Sequence, residues 1–298
     1  MAKPRTAEYY DDDITATSRV VLAEIATILG AYRDALVLIG GWAPYLILQR
    51  FGRPGAFDRG AFSATAFEVG FVHVGSIDID FVVDPSLVDA EQYATIVELL
   101  IERGYEPVAE SRYQFERTVA SRRTGRPHAI RIDFLTPRPL AGQGRQHRHR
   151  RIQADLQART LEGAEIALAH WYWHDLDEIL PDGAHAQTRV KVSDPVGALA
   201  LKGLAIGDRY AEKDAYDIFT LCAHHAGGPQ GVAELVRPAL GDALVRRGIA
   251  EIAAKFRARE AEGPTWVANF LARPGTQEHE RLLTDAFMTV TEVLRLLG

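Results

Sequence analysis

The chain has 298 residues, with 34 Lys and Arg against 40 Asp and Glu, a net charge of −6, and 47% hydrophobic residues. That balance excludes disordered, collagenous and low-complexity chains, and the length suits one large domain or two modest ones. A single cysteine, Cys222, excludes an internal disulfide. The polar, acidic start reads as no signal peptide, and no apolar run reaches the roughly 18 residues of a membrane helix. A cytoplasmic location without a membrane partner is therefore expected.

In chain order, residues 15–33 follow Thr and Ser caps with apolar positions at helical spacing, and predict a helix. Residues 35–39 (ALVLI) form a continuous apolar run stopped by Gly40 and Gly41, the mark of a buried strand. A second helix is predicted over 42–50, where Pro44 falls in the first turn and is tolerated. Residues 51–76 are rich in Gly and Phe without clean periodicity, and read as a long loop or insertion. Alternating, β-branched patterns predict strands at 77–83 (IDIDFVV) and 129–135 (AIRIDFL), with a helix between them at 91–103. A short strand is expected at 190–192, ended by Ser193, Asp194 and Pro195. Beyond that point the pattern is helical to Leu297, broken at 227–229 and 262–264. The expected organisation is α/β (α+β): a mixed-sheet domain over 1–193, then a helical domain over 194–298.

Two residues apart on one predicted strand, Asp78 and Asp80 would point to the same face. Paired carboxylates repel unless a cation lies between them, and hard oxygen ligands suit Mg²⁺ carried with substrate phosphates. Standing alone, D-x-D is more simply a plain solvated strand face. Asp133, also the polar residue of an alternating strand, adds a third carboxylate. Gly40 and Gly41 add backbone N–H groups at a helix start, a natural phosphate site.

Strand, glycine pair, helix, D-x-D strand and a later Asp together resemble the nucleotidyltransferase superfamily. The resemblance implies that Asp78 and Asp80 bind the Mg²⁺ (or Mn²⁺) carrying an NTP, and that Asp133 completes the metal site and helps activate the acceptor. Here the family's glycine-serine is Gly40-Gly41, and Ser76 is a candidate replacement for the lost hydroxyl. Farther on, Lys202 followed by D-R-x-x-x-K-D-x-Y-D (Asp208 to Asp217) resembles the AbiEii-type toxin nucleotidyltransferases. By that resemblance Lys202 and Lys213 hold the triphosphate, Asp214 and Asp217 hold the lysines, and Arg209 is a phosphate fork or structural. On one continuous helix Lys202, Arg209, Lys213 and Asp217 would fall within roughly 80° of one face. A salt-bridged surface stripe, or two helices with Asp208 capping the second, fits the same residues.

The reaction so implied is transfer of a nucleoside monophosphate to an acceptor, a tRNA end or a protein. The implied biological role is the toxin of a toxin–antitoxin or phage-defence system, with a cognate antitoxin as partner. An aminoglycoside-type nucleotidyltransferase is the first alternative, since IGGWA followed by D-x-D resembles those enzymes as well. A catalytically silent nucleotide- or partner-binding module is the second. Charge distribution bears on the choice. From Arg112 to Arg151 there are eleven arginines and two acids, a local +9 that leaves −15 to the rest of the chain. Such a segment suits a polyanionic acceptor and repels a cationic drug, and it nominates Arg148, Arg150 and Arg151 as acceptor-binding residues. The histidines lack metal-site spacing, and the Trp171-Tyr172-Trp173 run reads as a core or interface patch.

Overall fold

The structure, a computed structural model, describes residues 6–53, 73–88, 94–109, 111, 113–139 and 148–298. Most of the expected 51–76 insertion therefore lies outside the described residues. The chain is mixed α/β, with its strands before residue 194 and only helices after it. In order these are α1 (Asp12–Ile28), β1 (Leu36–Ile39), α2 (Trp42–Phe51), β2 (Ile79–Val83), α3 (Ile96–Glu102), β3 (Glu106–Pro107), β4 (Gln114–Ala120) and β5 (Pro127–Pro137). Next come β6 (His149–Arg151), β7 (Gln157–Leu161), α4 (Ala164–Ala169), β8 (Trp171–Ile179) and β9 (His185–Ser193). Six helices follow: α5 (Pro195–Asp208), α6 (Glu212–His224), α7 (Gly228–Val236), α8 (Ala243–Lys255), α9 (Glu262–Leu271) and α10 (Gln277–Leu297).

Two compact units result. The sheet unit comprises residues 12–42 and 75–193, and the helical unit comprises 1–11, 43–74 and 194–298. The sheet runs β3-β4-β5-β2-β1-β9-β8, with β7 joined to β5 and β6 to β7. Its central strands are apolar because both faces are covered: Leu36–Ile39, Ile79, Phe81–Val83, Ile132, Phe134 and Leu135 are all buried. Phe134 stacks near Phe81 at 6.3 Å and meets Phe115 edge-on at 6.0 Å, geometries that aromatic quadrupoles favour. The outer edge of β5 changes partner along its length. Residues 127–133 pair antiparallel with β4, and 135–137 pair parallel with β7. Asp133 stands at that changeover.

In the helical unit, boundaries follow ordinary capping chemistry. Asp194 caps α5 through the Gly197 N–H with Pro195 in the first turn, Asp242 caps α8, and Thr276 caps α10. A Cβ on Gly203 of α5 would overlap the Gly248 carbonyl of α8, so glycine is what lets these two helices cross closely. The end of α2 belongs to this unit because its backbone pairs there: Ala226 N–H donates to Phe51 O and Arg53 N–H to His224 O. His73 and Val74 are likewise tied to α6, by hydrogen bonds to Asp217 and Tyr216. The two units are interleaved along the chain, and the described residues 6–11, 43–53 and 73–74 belong to the helical unit.

Candidate active site

The glycine pair forms the turn from β1 into α2. Gly40 has φ +69°, a left-handed conformation that side chains other than glycine's adopt only under strain. A Cβ built on it would overlap the Asp80 carboxylate, so the turn's backbone passes directly against that side chain. Asp80 faces this turn because β1 and β2 pair antiparallel with Ile39 opposite Asp80.

Across the sheet, β2 and β5 run parallel with Asp80 directly opposite Asp133. Cross-strand partners point to the same face, so these two carboxylates are side by side by register. On the far side Asp133 pairs with Gln114, whose Nε2 donates to Asp133 Oδ2 at 3.0 Å. Asp133 Oδ1 is buried and has no hydrogen-bond partner. Burial, first of all, raises the carboxyl above the usual range, and the negative charge of Asp78 adds to it. The Gln114 hydrogen bond and the positive charges of Arg159 and Arg131 oppose the shift without cancelling it.

Asp78 is not a strand residue. The strand expected over 77–83 begins at Ile79, and Asp78 stands in a bend before it. Two hydroxyls donate there: Ser18 Oγ to the Ile77 carbonyl at 2.8 Å and Ser76 Oγ to the Asp78 carbonyl at 3.1 Å. Those carbonyls are thus engaged by hydroxyls as the ladder begins. The hydroxyl of Ser76, considered for a phosphate, is occupied in this turn. Asp80 thus shares its face with Asp133, and Asp78, outside the strand, is an electrostatic neighbour of Asp133.

Mg²⁺ is the metal that the superfamily resemblance implies. Among the described residues no three His, Cys, Asp or Glu side chains are grouped as a metal cage of the protein's own. Mg²⁺ commonly takes only one or two carboxylates and completes its shell with water and substrate phosphates. Two neighbouring carboxylates, one with a buried unpartnered oxygen, fit that demand.

Around Asp133 the sheet edge is basic. Arg159 pairs with Leu135 and with His149, and Arg151 pairs with Gln157. Alternation puts His149, Arg151 and Arg159 on the Asp133 face, and Arg150, opposite Ala158, on the other. Arg148 precedes β6 and is exposed. The His149 ring stacks on Tyr113 at 4.9 Å. Sequence reasoning missed Gln114, Arg159 and Tyr113, whose places depend on strand pairing.

The helical unit gathers the second set. Lys202 Nζ lies 2.6 Å from both Asp214 Oδ1 and Asp217 Oδ2. Arg209 reaches Asp214 at 2.9 Å and Lys213 reaches Asp217 at 3.0 Å. His73, which the sequence did not nominate, bonds Asp217 Oδ1 at 2.9 Å. All five expected residues are therefore together, although not on one helix: α5 ends at Asp208 and α6 starts at Glu212, capped by Ala211 without a side-chain bond. Burial disfavours every charge here. The two carboxylates nevertheless hold Lys202 charged above its ordinary range, and the lysines hold Asp217 well below its own. Burial leaves Lys213 lowered, with the Lys202 charge contributing, and pulls His73 down to about 4. Three cations face two acids, a surplus of one positive charge.

Trp171 and Trp173 form part of the edge strand β8, where Lys191 and Arg189 cover their rings at 4.2 and 4.4 Å. Cys222 is buried, and burial raises its thiol to about 12. No described helix is long and apolar enough to cross a membrane.

No family model matches the chain, and no curated protein does. Among solved structures it is similar to a crystal structure of an antigenic nucleotidyltransferase-like protein from Paracoccidioides brasiliensis. Identity is 14% and the TM-score 0.43, over 85% of this chain and 91% of that one.

Proposed function

We propose that the protein is a metal-dependent nucleotidyltransferase that moves a nucleoside monophosphate from an NTP to an acceptor. The observation that carries this reading is the in-register Asp80–Asp133 pair, with one buried oxygen of Asp133 left unpartnered. Asp80 and Asp133 would hold the metal, and Asp78 adds negative charge beside them. When bound, Mg²⁺ or Mn²⁺ would neutralise phosphate charge and orient the reacting groups for in-line displacement. An acceptor oxygen bonds to the α-phosphorus, the bond to the bridging oxygen breaks, and pyrophosphate leaves with that electron pair. The acceptor's proton goes to water. Gly40 keeps the β1–α2 backbone against Asp80, which supports a phosphate at this turn.

The acceptor is read as phosphate-bearing, an RNA end rather than a cationic drug, because His149, Arg151 and Arg159 share the Asp133 face. The resemblance to AbiEii-type toxins extends the proposal to a toxin role with a cognate antitoxin, and to Lys202, Lys213 and Arg209 as triphosphate ligands. The direct test incubates the protein with each α-labelled NTP, Mg²⁺ or Mn²⁺, and total RNA or lysate protein. Label entering RNA, and lost in Asp80→Asn and Asp133→Asn, is the expected result. No label from any NTP into either acceptor pool contradicts the reading.

A further inference from the structure

Asp133 has two oxygens in different situations. Oδ2 accepts from Gln114 Nε2 at 3.0 Å, whereas Oδ1 is buried without a partner. A carboxylate with one oxygen tethered cannot rotate freely, and the remaining oxygen keeps its lone pairs for another ligand. Gln114 is well placed to impose this. It is the first residue of β4 and the direct cross-strand partner of Asp133. Its backbone N–H is fixed by Ser111 Oγ at 3.0 Å, and next door Phe134 N–H donates to Tyr113 O at 2.8 Å. The backbone carrying the amide is therefore tied on both sides.

The geometry points to Gln114 as a positioning residue that tethers Asp133 Oδ2 and so dedicates Oδ1 to the metal. This rests on the nucleotidyl-transfer reading. Partners that orient metal-binding carboxylates typically affect metal affinity by roughly 10- to 100-fold when removed. Gln114→Met keeps nearly the same side-chain length and removes the N–H donor.

The test titrates Mn²⁺ into the full chain, alone and with each of the four α,β-methylene NTPs, following bound Mn²⁺ by electron paramagnetic resonance. Wild type, Gln114→Met, Asp133→Asn and the double variant are compared, with a thermal melt of each. The expected result is Mn²⁺ binding weakened about 10- to 100-fold in Gln114→Met. The double variant should bind no more weakly than Asp133→Asn alone, because Gln114 acts only through Asp133. Wild-type affinity in Gln114→Met, or losses that simply multiply in the double variant, overturns the inference and leaves the nucleotidyl-transfer reading intact. Absence of Mn²⁺ binding by wild type under every condition overturns both. If Gln114→Met does not fold, Gln114→Asn, whose amide is withdrawn by one methylene, carries the same comparison.

Discussion

Two regions of this protein bury carboxylates, and they treat them in opposite ways. Between α5 and α6, Asp214 and Asp217 are surrounded by Lys202, Lys213, Arg209 and His73, and each acid has at least two partners within 3.0 Å. On β5, Asp133 has one amide on one oxygen, nothing on the other, and the like charge of Asp78 nearby. A buried charge is expensive unless it is paired and hydrogen-bonded. The first region meets that condition within its own side chains and keeps one surplus positive charge, the one the proposed triphosphate would meet. The second does not, and that opening is the one the proposed metal would fill. Asp214 and Asp217 are buried and Asp133 only half-buried, yet it is the less buried acid that keeps an enclosed oxygen unpartnered.

The contrast breaks most visibly at Lys202. Lys202→Met leaves Asp214 and Asp217 without their shared cation, and should cost about 3–5 kcal/mol in a denaturant melt. A loss below about 1 kcal/mol would mean that the network is not structural. Acid comes next. His73 is buried and neutral, its folded pKa pulled to about 4 against an ordinary 6.5. Stability is complete above pH 6.5 and falls as pH drops toward 4, because the unfolded chain takes the proton first. The loss is on the order of 3 kcal/mol, and it should shrink in His73→Gln; equal acid sensitivity in the two proteins would remove His73 from the account.

Gly40→Ala should cost about 1–3 kcal/mol, since it forces a side chain into left-handed backbone against Asp80. NTP-dependent stabilisation should fall with it, whereas an unchanged melt would show that the turn relaxes easily. Smallest in stability is Asp133→Asn. Removing a penalised buried charge should leave the melt within about 1 kcal/mol of wild type, or above it.

The parts legible in the sequence were those set over short range. Alternation in 129–135 and the apolar run before Gly40 marked β5 and β1, and helical spacing put Lys213 and Asp217 together on α6, although Lys202 joins them from a separate helix, α5. What stayed hidden depends on pairing across long separations. Gln114 meets Asp133 only through the β4–β5 register, and His73 meets Asp217 across 144 positions. Asp78 stands outside the strand where Ser18, 59 positions away, engages the Ile77 carbonyl and Ser76 engages that of Asp78 itself. The strand β8 did carry an alternation, with His174 and Leu176 buried and Asp175 and Asp177 exposed, which the dense aromatics before it obscured. On β6 the sequence counted arginines but not faces, and Arg150 lies opposite the side that Arg151 shares with Asp133.

The most direct measurement is thermal stabilisation by NTP with Mg²⁺, compared between wild type and Asp133→Asn. The account predicts a rise in melting temperature for wild type with at least one NTP. It predicts none for Asp133→Asn, whose own melt without ligand stays within about 1 kcal/mol of wild type or above it. An Asp133→Asn protein stabilised as strongly as wild type, or a wild type indifferent to every NTP, would contradict it.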